Sequence, residues 1–160
     1  MTPTQADTLR QLVAHQDTAA LGTLHRGEPF VSMVPFALLP GGGGLVIHVS
    51  RLATHTSDMQ LHPGVSLMVS AVREPGVPPQ GLARATVQGD ARFCAEATDD
   101  HAAARDAYLS RFPDSEPMLA FADFSLVVIV PRTVRVVGGF AQAWSASAAD
   151  YIAAMSGGAA

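Results

Sequence analysis

The sequence predicts a mainly β fold of the α+β class, a small antiparallel barrel with helices on its periphery. Three observations carry that reading. About seven β-rich runs follow one another, most of them joined by short turns. Helical patterns sit chiefly at the start of the chain and near residue 100. No strand is followed by a Gly-x-Gly-x-x-Gly turn and helix, which argues against a dinucleotide-binding α/β fold. The competing architecture is an open α+β sheet.

Each element follows from local pattern. Thr4 is placed to cap a first helix that carries Leu9, Leu12 and Val13 on one face. Ala19 to Leu24 and Pro29 to Leu38 read as two strands about a turn at Arg26-Gly27. Pro40 and the glycines Gly41 to Gly44 lead into a strand from Leu45 to Ser50. The run from Thr54 to Leu61, stopped by Pro63, is a short helix. Val65 to Val72 is a strand, and Glu74 to Gly81, with three prolines and two glycines, is a loop. Leu82 to Phe93 is a long strand in which Arg84, Thr86 and Gln88 alternate with Ala83, Ala85 and Val87. Thr98 caps a helix to about Arg111, and Pro113 ends it. Phe124 to Val130 and Val134 to Val137 are further strands, with a bend at Gly138-Gly139. Ala146 to Met155 is read as a terminal helix and residues 156–160 as a disordered tail.

Composition narrows the class. The 160 residues form one domain, long enough for a core without disulfides or metal. The chain is 48% hydrophobic and only 15% charged, so part of its surface is expected to be hidden in an oligomer interface. Lysine is absent, so any anion site must use one of the ten arginines, a histidine or backbone N–H groups. A net charge of -4 argues against nucleic acid as the partner. Cys94 is the lone cysteine, and no spaced metal ligands are visible. No signal peptide and no apolar run of membrane-spanning length are seen, so the expected setting is cytoplasmic.

The stretch His48-Val49-Ser50-Arg51-Leu52-Ala53-Thr54-His55-Thr56 carries the chemistry. A β-rich run empties there into a hydroxyl-rich turn that opens a helix. Free backbone N–H groups and a positive dipole end are a physical recipe for holding a phosphate. The competing reading is that the Ser and Thr residues are merely caps.

The order of motifs resembles the pyridoxamine-5′-phosphate-oxidase-like FMN-binding split barrels, and more narrowly their haem-utilisation branch. The motifs are Leu21-Gly-Thr-Leu, Pro29-Phe-Val-Ser-Met-Val-Pro-Phe and His48-Val-Ser-Arg-Leu-Ala-Thr-His-Thr. Arg84-Ala-Thr-Val-Gln-Gly, Tyr108-Leu-Ser-Arg-Phe-Pro, Asp123-Phe-Ser-Leu and Val137-Gly-Gly-Phe follow. The resemblance covers roughly residues 5 to 145. It implies a split barrel of about six to seven antiparallel strands, assembled as a homodimer with FMN at the subunit interface. Carried onto this chain, the flavin wall is Ser32, Met33, Val34 and Pro35. The ribityl-phosphate grip is His48, Val49, Ser50, Thr54 and His55, with Arg84 as the nearest strand-borne cation. Pro35 within a strand fits only if its missing N–H faces an edge or the ligand.

The departures shape the expected function. The vitamin oxidases carry Arg on the second strand and an Arg-Lys pair after the third, where this chain has Ser32, Thr54 and His55. Their Arg-rich C-terminal substrate segment has no counterpart after Trp144. Oxidation of pyridoxamine phosphate is therefore not expected. Some haem-binding relatives use a histidine near the C-terminus as haem ligand, and no His follows His101 here.

Each candidate has a plainer reading beside the functional one. His48 and His55 bond a phosphate or flavin oxygen, ligate haem, or are a strand histidine and a solvated helix-start histidine. Arg84 needs an anion or a carboxylate partner among small neighbours. Trp144 either stacks on an isoalloxazine ring from the partner subunit or packs in the core. Arg51 and His101 read as solvated, and Tyr108 and Phe112 as helix packing. No Ser-His-Asp or Cys-His constellation is evident in sequence order, as expected where a cofactor performs the chemistry. Three functions remain open: an FMN oxidoreductase acting on a small molecule, a haem-binding or haem-degrading protein, and a dimer that has lost its cofactor.

Overall fold

The computed structural model describes residues 1–139 and 142–157. Eight strands, β1 (Thr18–His25), β2 (Glu28–Pro35), β3 (Ala37–Leu38), β4 (Leu45–Ser50), β5 (Gly64–Ser70), β6 (Arg84–Phe93), β7 (Phe124–Gly139) and β8 (Gln142–Ser147), form one curled antiparallel sheet. The path is β2-β1-β5-β6-β7-β4-β3, with β8 pairing β7. Helices α1 (Pro3–His15), α2 (Thr54–Leu61), α3 (Asp99–Arg111), α4 (Glu116–Leu119) and α5 (Ala148–Ser156) surround it. This is the α+β split-barrel architecture expected from the sequence.

Local chemistry sets most of the boundaries. Arg26 and Gly27 both take positive φ, 54° and 84°, as a two-residue hairpin turn with right-handed strand twist requires. Thr98 caps α3 by accepting from the His101 N–H. The first helix is capped by Thr2 rather than Thr4. Thr2 and Gln5 form a reciprocal capping box, and Pro3 sits at the first helical position, where its missing N–H costs nothing.

Elsewhere tertiary pairing overrides local pattern. The expected strand from Pro29 to Leu38 is broken after Pro35, and the short β3 joins the opposite edge of the sheet. Pro35 therefore closes an edge strand, where its missing N–H is tolerated. The two expected strands after Phe124 are one, β7, whose pairings run from Phe124 to Gly139 with breaks in register at Arg132 and Gly138. Its Pro131 is accommodated by a bulge between Gln88 and Gly89, and a Cβ on Gly89 would lie 2.3 Å from the Val130 carbonyl oxygen. The terminal helix begins at Ala148, capped by Ser147, because residues 142–147 pair with β7 instead. The expected tail starts inside that helix, which includes Ser156; residues 158–160 lie outside the described residues. No described helix is long and apolar enough to cross a membrane.

The core has two parts on opposite faces of the sheet. Leu21, Leu45, Ile47, Leu67, Val87 and Ile129 fill the barrel with Leu9 of α1 and Tyr151 of α5. Val46, Leu126 and Val128 face outward and are covered by Ala104 and Tyr108 of α3. The β4–β7 half is thus buried on both sides, which is why Leu45 to Ile47 reads as an unbroken apolar run. The β2–β1–β5 half is not covered. Its outer face leaves Val31 at 66%, Met33 at 69% and Met68 at 40% exposed.

Candidate functional site

The turn into α2 is held in shape by a residue far along the chain. The Asp123 carbonyl accepts from the Arg51 N–H at 2.7 Å, and its carboxylate accepts from Ser50 Oγ at 3.3 Å. Ser50 Oγ in turn accepts from the Leu52 N–H, while the Ser50 carbonyl accepts from the Ala53 N–H and from Thr56 Oγ1. Ala53 occupies the N-cap and supplies no capping side chain. The N–H groups of Thr54 and His55, in the first turn of the helix, find no acceptor among the described residues. They are the groups a helix start offers to an anion.

Behind them lies a polar cluster between α2 and the β1–β2 hairpin. His55 Nδ1 and Ser32 Oγ are 2.9 Å apart, in hydrogen-bond contact. Asp58, one helical turn on from His55 and 3% exposed, accepts from Thr23 Oγ1 and from His25 Nδ1, both at 2.8 Å. Burial pushes the Asp58 carboxyl up, but the bonds from His25 and Thr23 prevail and hold it below the ordinary carboxylate value. His55 is held below its ordinary value by burial, against an opposing pull from Asp58. The site therefore combines a buried carboxylate, a neutral-leaning imidazole and free N–H groups.

Ser32 also lines an open cleft of about 370 Å³ on the uncovered sheet face, with Thr18, Ala20, Met33, Met68 and Ser70. Ser32 thus joins the α2 turn to the cleft. Thr54, His55 and Ser32 are the expected residues that the fold brings together at the turn, while Met33 lies on the other side of β2, on the cleft face.

The other expected residues fall elsewhere. Strand alternation turns Val34 and Val49 into the core, at 3% and 2% exposure, so their side chains line neither turn nor cleft. Pro35 ends β2 and Ser50 serves the turn internally. His48 projects from the opposite face of β4, where it stacks on Phe124 at 4.6 Å beneath α3. Arg84 pairs across from Val137 and Ser50 from Phe124, thirteen positions apart on β7, so one chain does not bring Arg84 to the turn. Its guanidinium donates instead to the carbonyls of Leu82 and Gln80. Trp144 lies opposite Val136, against Gly138, with its indole N–H enclosed and without a partner among the described residues. Asp123, Asp58, Thr23 and His25 were not identified from sequence. Asp58 follows His55 at helical spacing, a signal that could have found it.

A curled antiparallel sheet left open between β2 and β3, with a short helix beside the gap, defines a split-barrel protein. Residues 2–153 match the family described as CREG, beta-barrel, and the chain belongs to that family. It is 40% identical over 123 residues to the chloroplastic haem oxygenase HOZ of Arabidopsis thaliana, covering 77% of this chain and 36% of that protein. A haem-binding protein from Mycobacterium smegmatis superposes with a TM-score of 0.86 at 31% identity, over 96% of this chain and 62% of the other. A Clostridium acetobutylicum protein of the pyridoxinephosphate oxidase family superposes at 0.68 with 10% identity, over 94% and 99% of the two chains, a likeness of fold alone. The chain thus spans about a third of the plant protein and under two thirds of the mycobacterial one.

Proposed function

We propose that two copies of this chain bind a planar, anionic cofactor against the β2–β1–β5 face, with haem as the first reading. The observation that carries it is Ser32, which lines the cleft and holds His55 at the start of α2. The donor set suits such a ligand. The Thr54 and His55 N–H groups and the His55 ring donate to a carboxylate or phosphate end, while Met33, Met68 and Val31 cover an apolar ring system. An open cleft of about 370 Å³ covers one side of a planar ligand, so a second copy supplies the other. Haem is preferred over flavin because the two similar proteins named for haem share 40% and 31% identity with this chain. When bound, haem would supply iron redox chemistry; the chain's own residues would orient the ring, donate hydrogen bonds to its carboxylates and exclude water.

FMN is the second reading. It is favoured by the helix-start geometry, which suits a phosphate, and by the fold shared with the pyridoxinephosphate oxidase family. The visible spectrum of the purified protein, before and after addition of each cofactor, tests both. A saturable Soret band shift with haem that is lost in a Ser32→Ala, His55→Ala variant supports the first. Saturable quenching of FMN fluorescence, with no haem response, replaces it by the second. Absence of both responses would overturn the proposal.

A further inference from the structure

A second cavity lies on the far side of β4, and none of its lining residues belongs to the cleft described above. It encloses about 340 Å³ between β4, the start of β7, α3 and the turn at residues 119–122. Strand parity produces it. Leu45, Ile47 and Val49 point into the barrel, so His48 points out beneath α3. There its ring stacks on Phe124 at 4.6 Å and meets Tyr108 at a tilt of 56°. The His48 nitrogens make no hydrogen bond among the described residues, and burial holds the ring below its ordinary pKa. A neutral imidazole with one donor and one acceptor therefore faces the cavity.

The remaining walls divide by chemistry. Phe124 and Phe121, 6.2 Å apart, provide the aromatic surface, and Phe121 is 54% exposed at the rim. His101 and Arg105, four residues apart on α3, supply N–H donors on one lip, the guanidinium as a fixed cation. Glu96 supplies an acceptor from the segment before α3. The Arg105 guanidinium is engaged by Glu116 at 3.1 Å, with the two side chains 41% and 70% exposed. So exposed an ion pair is weak, and its arginine can exchange Glu116 for another carboxylate.

We propose that this cavity binds a small heteroaromatic carboxylic acid of one or two fused rings. The ring lies against Phe124 and Phe121, the carboxylate meets Arg105 and His101, and a ring N–H is accepted by Glu96. The volume admits a ligand of that size and excludes a tetrapyrrole, so the site is independent of the cofactor reading.

The probe is indole-3-carboxylate, titrated into the full chain by calorimetry and followed by the imidazole NMR signals of His48, His55 and His101. Saturable binding that shifts His48 and His101 and leaves His55 unmoved is expected. Arg105→Gln should weaken that binding about tenfold or more while leaving the weaker binding of neutral indole unchanged. 1-Naphthoate, which lacks the ring N–H, should bind less tightly than indole-3-carboxylate. Because the Arg105–Glu116 pair is exposed, Arg105→Gln should unfold at the same urea midpoint as the parent. No saturable binding of indole-3-carboxylate, equal affinity in Arg105→Gln, or shifts confined to His55 would each overturn the proposal.

Discussion

His55 and His48 show how one local signal resolves into two environments. They lie seven residues apart in a single motif, yet one touches Ser32 beside the cleft and the other stacks under α3. Both are half-buried and both resist protonation. The sign of the pH effect follows. A base whose folded pKa is lowered takes up its proton first in the unfolded chain, so stability falls as pH drops below the ordinary histidine value of 6.5. Asp58 acts later, since a carboxyl held below its ordinary 3.8 loses its contribution only as pH falls under that value. Urea midpoints should therefore decline between pH 7.5 and 5.5, and a His48→Phe variant should flatten that decline. At the same scale, replacing Thr54 and His55 together by Ala should weaken cofactor binding about tenfold, since the His55 ring contact to a charged group is lost while the backbone N–H groups remain. Circular dichroism should show the fold retained, because neither side chain belongs to the core.

The elements depend most on β7, which pairs with β4, β6 and β8 and carries both halves of the core. Its continuity past Pro131 rests on the bulge at Gly89, where a side chain would collide with backbone rather than with a yielding neighbour. Gly89→Ala should cost about 2–4 kcal/mol in urea unfolding. Gly27→Ala, in the β1–β2 turn with open space around it, should cost only about 1 kcal/mol, from its positive φ. Equal losses in the two variants would show that the bulge is not the constraint. A second long-range device is Arg111 of α3, which donates to the carbonyls of Ala14, in the last turn of α1, and of Gln16, its C-cap. It ties two helices that sequence alone gives no reason to join.

For the whole molecule, the asymmetry between the two halves of the sheet is the informative feature. Helices cover the β4–β7 half, while the β2–β1–β5 face presents Val31, Met33 and Met68 to solvent. Together with a 15% charged composition, this exposed apolar face is what supports the proposed packing of a second copy there. Met33→Asp should yield a folded monomer by sedimentation and should lose cofactor binding with it, since each cleft covers only one side of the ligand. A parent protein that sediments as a monomer at micromolar concentration would count against the shared site.

Pattern with a range of a few residues was legible in the sequence. The barrel class, the bounds of α2 and α3, the hairpin at Arg26-Gly27 and the strand-to-helix turn ahead of Thr54 all rest on propensity, capping and turn chemistry, which act locally. What only the tertiary structure decided is which local pieces meet. Strand parity sent His48 and His55 to different environments, and a register along β7 separated Arg84 from Ser50 by thirteen positions. Asp58 found His25 across 33 residues, and Asp123 found Ser50 across 73. The β8 strand formed because an unpaired length of β7 was available, not because residues 142–147 demand extension. Backbone pairing and burial are non-local terms, and they select among conformations that the local chemistry leaves nearly equal in energy.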